Sequence, residues 1–120
     1  MAGIDKKNFS NPDETRTPDK TLVEFVNLEA VKAAKLTLQP GWSWSGCVKP
    51  VVGGESCQQN HIGVLVSGSM RVTHDDGTEV ILNPGDAYNI RPGHDGEVLG
   101  DQVCVIYEFD SKAAETYATR

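Results

Sequence analysis

The residues of this 120-residue chain that could do chemistry gather in one stretch, Glu55-Ser-Cys57-Gln-Gln59-Asn-His61. Read as a β-strand, it puts side chains two apart on one face. Glu55, Cys57, Gln59 and His61 then form a polar row, while Ile62, Val64 and Val66 follow on the other face. A carboxylate, a thiol and an imidazole are donors suited to Zn²⁺ or Fe²⁺. A further imidazole, His94, sits in the loop Arg91-Pro-Gly-His-Asp95 and joins the row if that loop folds inward. Along a regular strand Cys57 and His61 stand roughly 13 Å apart. One metal can take both only if the chain bends at Gln58-Gln-Asn60 or Gly63. Without a bend, the same residues line a pocket for an organic ligand. Trp42 and Trp44 alternate with serine, which puts both indoles on one face. They pack in the core or at an interface, or they form an aromatic wall beside the ligand.

The elements that must position these groups read as short strands. Thr21–Leu28 and Val31–Leu38 are rich in β-branched and apolar residues, and Pro40-Gly41 ends the second. Gly46–Gly54 reads as a loop. Ser67-Gly68-Ser69 turns the central strand into Met70–Thr73, and Asp76-Gly77 marks a hairpin to Glu79–Leu82. Asn83-Pro-Gly-Asp86 is another turn, before Ala87–Ile90, Glu97–Leu99 and Val103–Phe109. About nine short strands at this spacing predict an all-β sandwich or barrel. Residues 1–20 read as a polar arm outside it, and residues 111–120 as a tail whose Ser111–Ala118 is a short helix. The barrel proper is then 21–110. Ile62, Val64 and Val66, lying opposite the polar row, need a cover, and a homodimer supplies one.

Composition narrows the function. A formal net charge of −6 speaks against nucleic acid and against an anionic membrane surface. No apolar run approaches the ~20 residues of a membrane span, and Met1–Lys7 lacks the apolar core of a signal peptide, so the cytoplasm is the expected compartment. Cys47, Cys57 and Cys104 have no framework spacing and are expected as free thiols.

The spacing within 34–109 resembles the cupin superfamily, whose fold is the double-stranded β-helix or jelly roll. Its first motif runs G-x5-H-x-H-x3-4-E-x6-G. Counting back from Gly68, His61 stands at the glutamate position, Cys57 at the second histidine and Glu55 at the first. Of the second motif, G-x5-P-x-G-x2-H-x3-N, the chain keeps Gly85 and Gly93, with Arg91 at the proline and Gly96 at the histidine position. The resemblance implies a cupin barrel whose cup holds a small molecule. It also implies a divalent metal, Zn, Fe, Mn or Ni, here held by His61, Cys57 and His94, with Glu55 as ligand or general base. Two classes of function stay open: a binding module without chemistry, and a metal-dependent enzyme of the dioxygenase, isomerase or lyase kind. Asp95 is expected in an ordinary polar loop, with orientation of His94 as the alternative; Tyr88 is expected to pack in its strand, and Arg91 to pair with a surface carboxylate, with an anionic ligand as the alternative.

Overall fold

A computed structural model describes residues 3–109. The helix expected over 111–118 lies outside them. Two antiparallel sheets face each other. The larger has the order β1-β2-β3-β9-β4-β7 and the smaller β6-β5-β8. The strands are β1 Glu14–Arg16, β2 Thr21–Asn27, β3 Lys32–Leu38, β4 His61–Ser67, β5 Met70–His74, β6 Glu79–Leu82, β7 Ala87–Ile90, β8 His94–Val98 and β9 Cys104–Phe109. β2, β3 and β9 run in unbroken register, with Leu36 opposite both Val23 and Ile106. Their inward side chains, with Leu38, Leu65 and Trp42, form one aliphatic core. This is the jelly-roll architecture that the sequence predicts.

Three stretches depart from that reading. Glu55–Gly68 is not one strand: β4 begins at His61, and Cys57 forms an isolated bridge to His94 of β8 instead. Gly53 and Gly54, at φ 80° and 93°, take backbone that side chains rarely adopt, and they turn the chain before it can extend. Trp42-Ser-Trp44-Ser is not a strand either. The Ser43 hydroxyl accepts from the Gly46 amide at 3.0 Å and caps a π-helical turn, Trp44–Val48. Helix α1, Lys49–Val52, follows with Pro50 in its first turn, where its missing N–H costs nothing. Finally, within the arm expected outside the barrel, Glu14–Arg16 pairs with Val23–Phe25 as an edge strand. No helix among the described residues is long and apolar enough to cross a membrane.

Ile62 and Val66 are 52% and 43% exposed on the outer face of the larger sheet. Val64 and, on the neighbouring β9, Phe109 lie on the same face by strand parity. The homodimer expected from the sequence would bury this patch. Light scattering at micromolar concentration is then expected to give about twice the 13.0 kDa chain mass. Ile62→Glu, a change at an exposed site, is expected to give a folded monomer. A wild-type mass of one chain would remove the dimer.

Candidate metal centre

β4 opens with His61 pointing into the barrel, and β9 brings Glu108 beside it through the pairing of Gly63 with Glu108. Glu108 is a carboxylate only 3% exposed in an apolar interior, so it must be compensated. His61 Nδ1 donates to Glu108 Oε1 at 2.9 Å, and the Tyr88 hydroxyl of β7 donates to Oε2 at 2.7 Å. A carboxylate accepts only, so the Nδ1 proton is fixed and His61 Nε2 is turned the other way. It faces Cys57 Sγ at 3.6 Å.

Cys57 reaches this position because its backbone is stitched to the β8 edge. Its N–H donates to the His94 carbonyl at 2.7 Å, and its own carbonyl accepts from Gly93 at 2.7 Å and His94 at 3.1 Å. The chain between Cys57 and His61 is thereby folded back, and the thiol and imidazole meet although a straight strand would part them. His94 donates from Nδ1 to the Arg91 carbonyl at 2.8 Å. Its ring stands edge-on to His61, centroids 4.9 Å apart and planes at 74°. Cys57, His61 and His94 each offer one buried ligand atom, and these atoms all lie within 4.8 Å of one another.

The electrostatics follow from this packing. Burial pushes the Cys57 thiol up, but hydrogen bonds from His61 and His94, the charge on His61 and the Gln59 amide together pull it down to about 6. Burial pushes the His61 imidazolium down, but the charge on Glu108 and the hydrogen bonds from Cys57 and Glu108 hold it up at about 10. At neutral pH the metal-free pair is a thiolate facing an imidazolium.

A cavity of about 40 Å³ adjoins the imidazoles. Trp42, Trp44, Leu36, Met70 and Ile106 make much of its wall, and His61, His94, Tyr88 and Glu108 its polar end. Both tryptophans are thus core and cavity wall together, with Trp42 Nε1 donating to Thr21 Oγ1 at 2.8 Å. At roughly 10–15 Å³ per water, the chamber holds only a few waters.

The other expected site residues fall elsewhere. Glu55 is exposed and lines an open polar groove of about 550 Å³ with Ser56, Asp75 and Asp95, so it is no part of the Cys/His/His group. Gln59 contributes its backbone amide. Asp95 accepts from the Ser45 and Gly96 amides, leaving the orientation of His94 to the Arg91 carbonyl. Tyr88 does more than pack, since it holds Glu108. Glu108 is the residue that sequence reasoning missed. Its signal was the inward parity of Cys104, Ile106 and Glu108 along β9.

No family model matches the sequence, and no curated protein does either. Solved structures do match. The polyketide cyclase RemF from Streptomyces resistomycificus superposes with a TM-score of 0.63 at 15% identity, over 90% of this chain and 79% of its own. A Lactobacillus farciminis oxalate decarboxylase, solved as a formate complex, gives 0.61 at 18% identity, over 92% of this chain and 34% of its own. A cupin 2 domain-containing protein from Halorhodospira halophila gives 0.56 at 17% identity, over 74% of this chain and 62% of its own. The chain therefore spans about a third of the decarboxylase. At these identities the likeness is one of fold: the chain has the cupin fold.

Two outcomes are expected from this geometry. Gly63 leaves the space that Glu108 and Tyr88 fill. A Cβ there would collide with the Tyr107 carbonyl oxygen and stand 3.0 Å from both Glu108 Cγ and the Tyr88 hydroxyl. Gly63→Ala is expected to lower stability by ~1–3 kcal/mol, read as an earlier urea midpoint. In the metal-free protein, the ultraviolet absorbance of the Cys57 thiolate is expected to appear with a midpoint about 6 instead of 9.0. The lowered thiol adds stability that is lost as pH falls through about 6, and the raised imidazole adds stability that is lost as pH rises through about 10. Between 6.5 and 9.0 the two trends oppose each other, and the unfolding midpoint is expected to be flat there, falling on either side.

Proposed function

We propose that this protein is a metal-binding cupin in which Cys57, His61 and His94 hold one divalent ion and a small molecule takes the remaining position, facing the inner cavity. One observation carries the reading. A metal–sulfur bond of ~2.3 Å and a metal–nitrogen bond of ~2.0–2.1 Å, meeting at a tetrahedral angle, span about 3.6 Å. Cys57 Sγ and His61 Nε2 are 3.6 Å apart. Both imidazoles have Nδ1 engaged, His61 by a carboxylate and His94 by a backbone carbonyl, which is how protein partners aim metal-binding histidines.

A thiolate with two imidazoles suits Zn²⁺ or Fe²⁺ better than Mn²⁺, which favours oxygen donors. When bound, such an ion supplies Lewis-acid chemistry, polarising an oxygen of the substrate or activating a water. The chain's own residues do the rest. Glu108 retains the Nδ1 proton of His61 and offsets positive charge, Tyr88 keeps Glu108 in place, and the aliphatic wall limits water. A decarboxylase and a cyclase among the structural neighbours support an enzymatic use of the barrel, although fold alone names no reaction.

A second reading rests on the order of Cys57, His61 and Glu108. Sulfur to imidazole is 3.6 Å and imidazole to carboxylate 2.9 Å, the arrangement of a nucleophile, its base and the acid that orients the base. Here the thiolate would add to a carbonyl carbon, the C=O π pair moving onto oxygen and taking up the proton held at His61 Nε2.

Metal analysis separates the two. Protein purified without an affinity tag and dialysed against Zn²⁺ is expected to hold one ion per chain and to resist alkylation of Cys57 by iodoacetamide. Cys57→Ser and His94→Ala are expected to hold none, and Glu108→Gln to bind about 10–100-fold more weakly. A chain that retains no ion, and whose Cys57 alkylates rapidly at neutral pH, would sink the metal reading in favour of the nucleophile.

A further inference from the structure

The two sheets are not closed on each other everywhere. β6 and β7 follow one another through the turn at 83–86, yet they belong to different sheets and share no ladder. Between their edges lies a vestibule of about 210 Å³. Val72, Leu82, Tyr88 and Ile90 line both this vestibule and the inner cavity, so a single wall of side chains separates the outside from the imidazoles. The inner chamber has room for only a few waters. Any organic molecule that reaches His61 and His94 by this route has its larger part in the vestibule.

The vestibule has a defined chemistry. Val80, 47% exposed, joins Val72, Leu82 and Ile90 as an apolar lining. Four charged or titratable groups line it, His74, Asp76, Tyr88 and Arg91, and Tyr88 is engaged with Glu108. Asp76 is satisfied: its carboxylate accepts from the Thr78 amide at 2.8 Å, and its own amide donates to His74 Nδ1 at 3.0 Å. His74 donates from Nε2 to the Pro92 carbonyl at 2.9 Å. Arg91 differs. Its guanidinium has no hydrogen bond or ion pair among the described residues, in a chain with net charge −6 and many carboxylates. None of the described carboxylates is therefore the partner expected from the sequence, and among the described residues the forked cation beside the apolar slot is unpaired.

We propose that this seam is the entrance to the site and that it takes a small organic acid, the carboxylate on Arg91 and the alkyl or aryl body against Val72, Val80, Leu82 and Ile90. The end of the molecule distal to the carboxylate then meets the wall formed with Tyr88. That the bound acid is the substrate of the Cys57/His61/His94 centre rests on the metal reading above, whereas its seat in the seam does not. The same residue touches both ends of the arrangement, since the Arg91 backbone carbonyl holds His94 Nδ1 and Arg91 also lines the seam.

The test is a titration of methyl-labelled, metal-free protein with butanoate, followed by NMR and repeated after dialysis against Zn²⁺. Saturable shifts of the Val72, Val80, Leu82 and Ile90 methyls are expected. A hydrogen bond between charged groups is worth ~1.5–3 kcal/mol, so Arg91→Gln should weaken binding by roughly 10–100-fold. Butanamide should bind the wild type about as weakly as butanoate binds that variant. Val80→Trp, at an exposed position, should block binding while leaving the spectrum of the folded protein in place. Absent or scattered shifts, or equal affinity in Arg91→Gln, would overturn the seam as an acid site. Zn²⁺ retained without butanoate binding overturns this inference alone. Butanoate seated in the seam of a protein that holds no Zn²⁺ supports the inference and overturns the metal centre.

Discussion

The ion pair between His61 and Glu108 is the constraint on which the rest of the interior depends. A carboxylate buried in an aliphatic barrel is costly, and it persists only with a positive partner and further hydrogen bonds. Both are present, from His61 at 2.9 Å and Tyr88 at 2.7 Å. The register of β4 against β9 sets them side by side, and a glycine at position 63 leaves the space in which they meet. Because Glu108 occupies Nδ1, the other nitrogen of His61 has one direction to face. The thiol and the second imidazole are arranged around that direction. The pair thus converts a folding requirement, compensation of a buried charge, into the aim of a ligand atom.

Polar chemistry is confined to one end of the cavity, and the two sheets share its supply. His61, Glu108 and Tyr88 come from the larger sheet, His94 from the smaller, and Cys57 from a loop stitched to the smaller sheet's edge. The acidic groove outside, where Glu55 and Asp95 lie, is open to solvent. Its charges interact through water and carry little energy. The inner groups act on one another in a medium where each hydrogen bond counts for more. This contrast sets the buried group of Cys57, His61 and His94 apart from the more numerous surface acids.

Much of the barrel could be read from the sequence because strand alternation and turn chemistry are local signals. The hairpin at Asp76-Gly77 and the strands 21–27, 32–38, 70–74 and 79–82 follow from them. The helical turn after Trp44 did not, because Trp-Ser-Trp-Ser has the period of a strand and only the tertiary setting lets Ser43 act as a cap. Cys57, His61 and His94 could be named as a group from residue type and motif spacing. Their convergence could not be derived, since it depends on the bridge between Cys57 and His94, a contact 37 residues apart along the chain. For Glu108 the sequence of β9 offers only its shared parity with Cys104 and Ile106. Its burial is decided by the neighbouring strand's glycine, which is invisible to a reading of β9 alone.

The uneven anchoring of the smaller sheet has a mechanical consequence. Along β8 it is bridged to Ser43 and Cys57, while among the described residues its β6 edge joins no ladder and is held to the larger sheet through the turn that follows it, where the Gly85 amide donates to the Leu65 carbonyl and the Leu65 amide to the Asp86 carbonyl. The width of the seam between β6 and β7 is therefore set by one short turn and by side chains, and not by a continuous ladder of backbone hydrogen bonds.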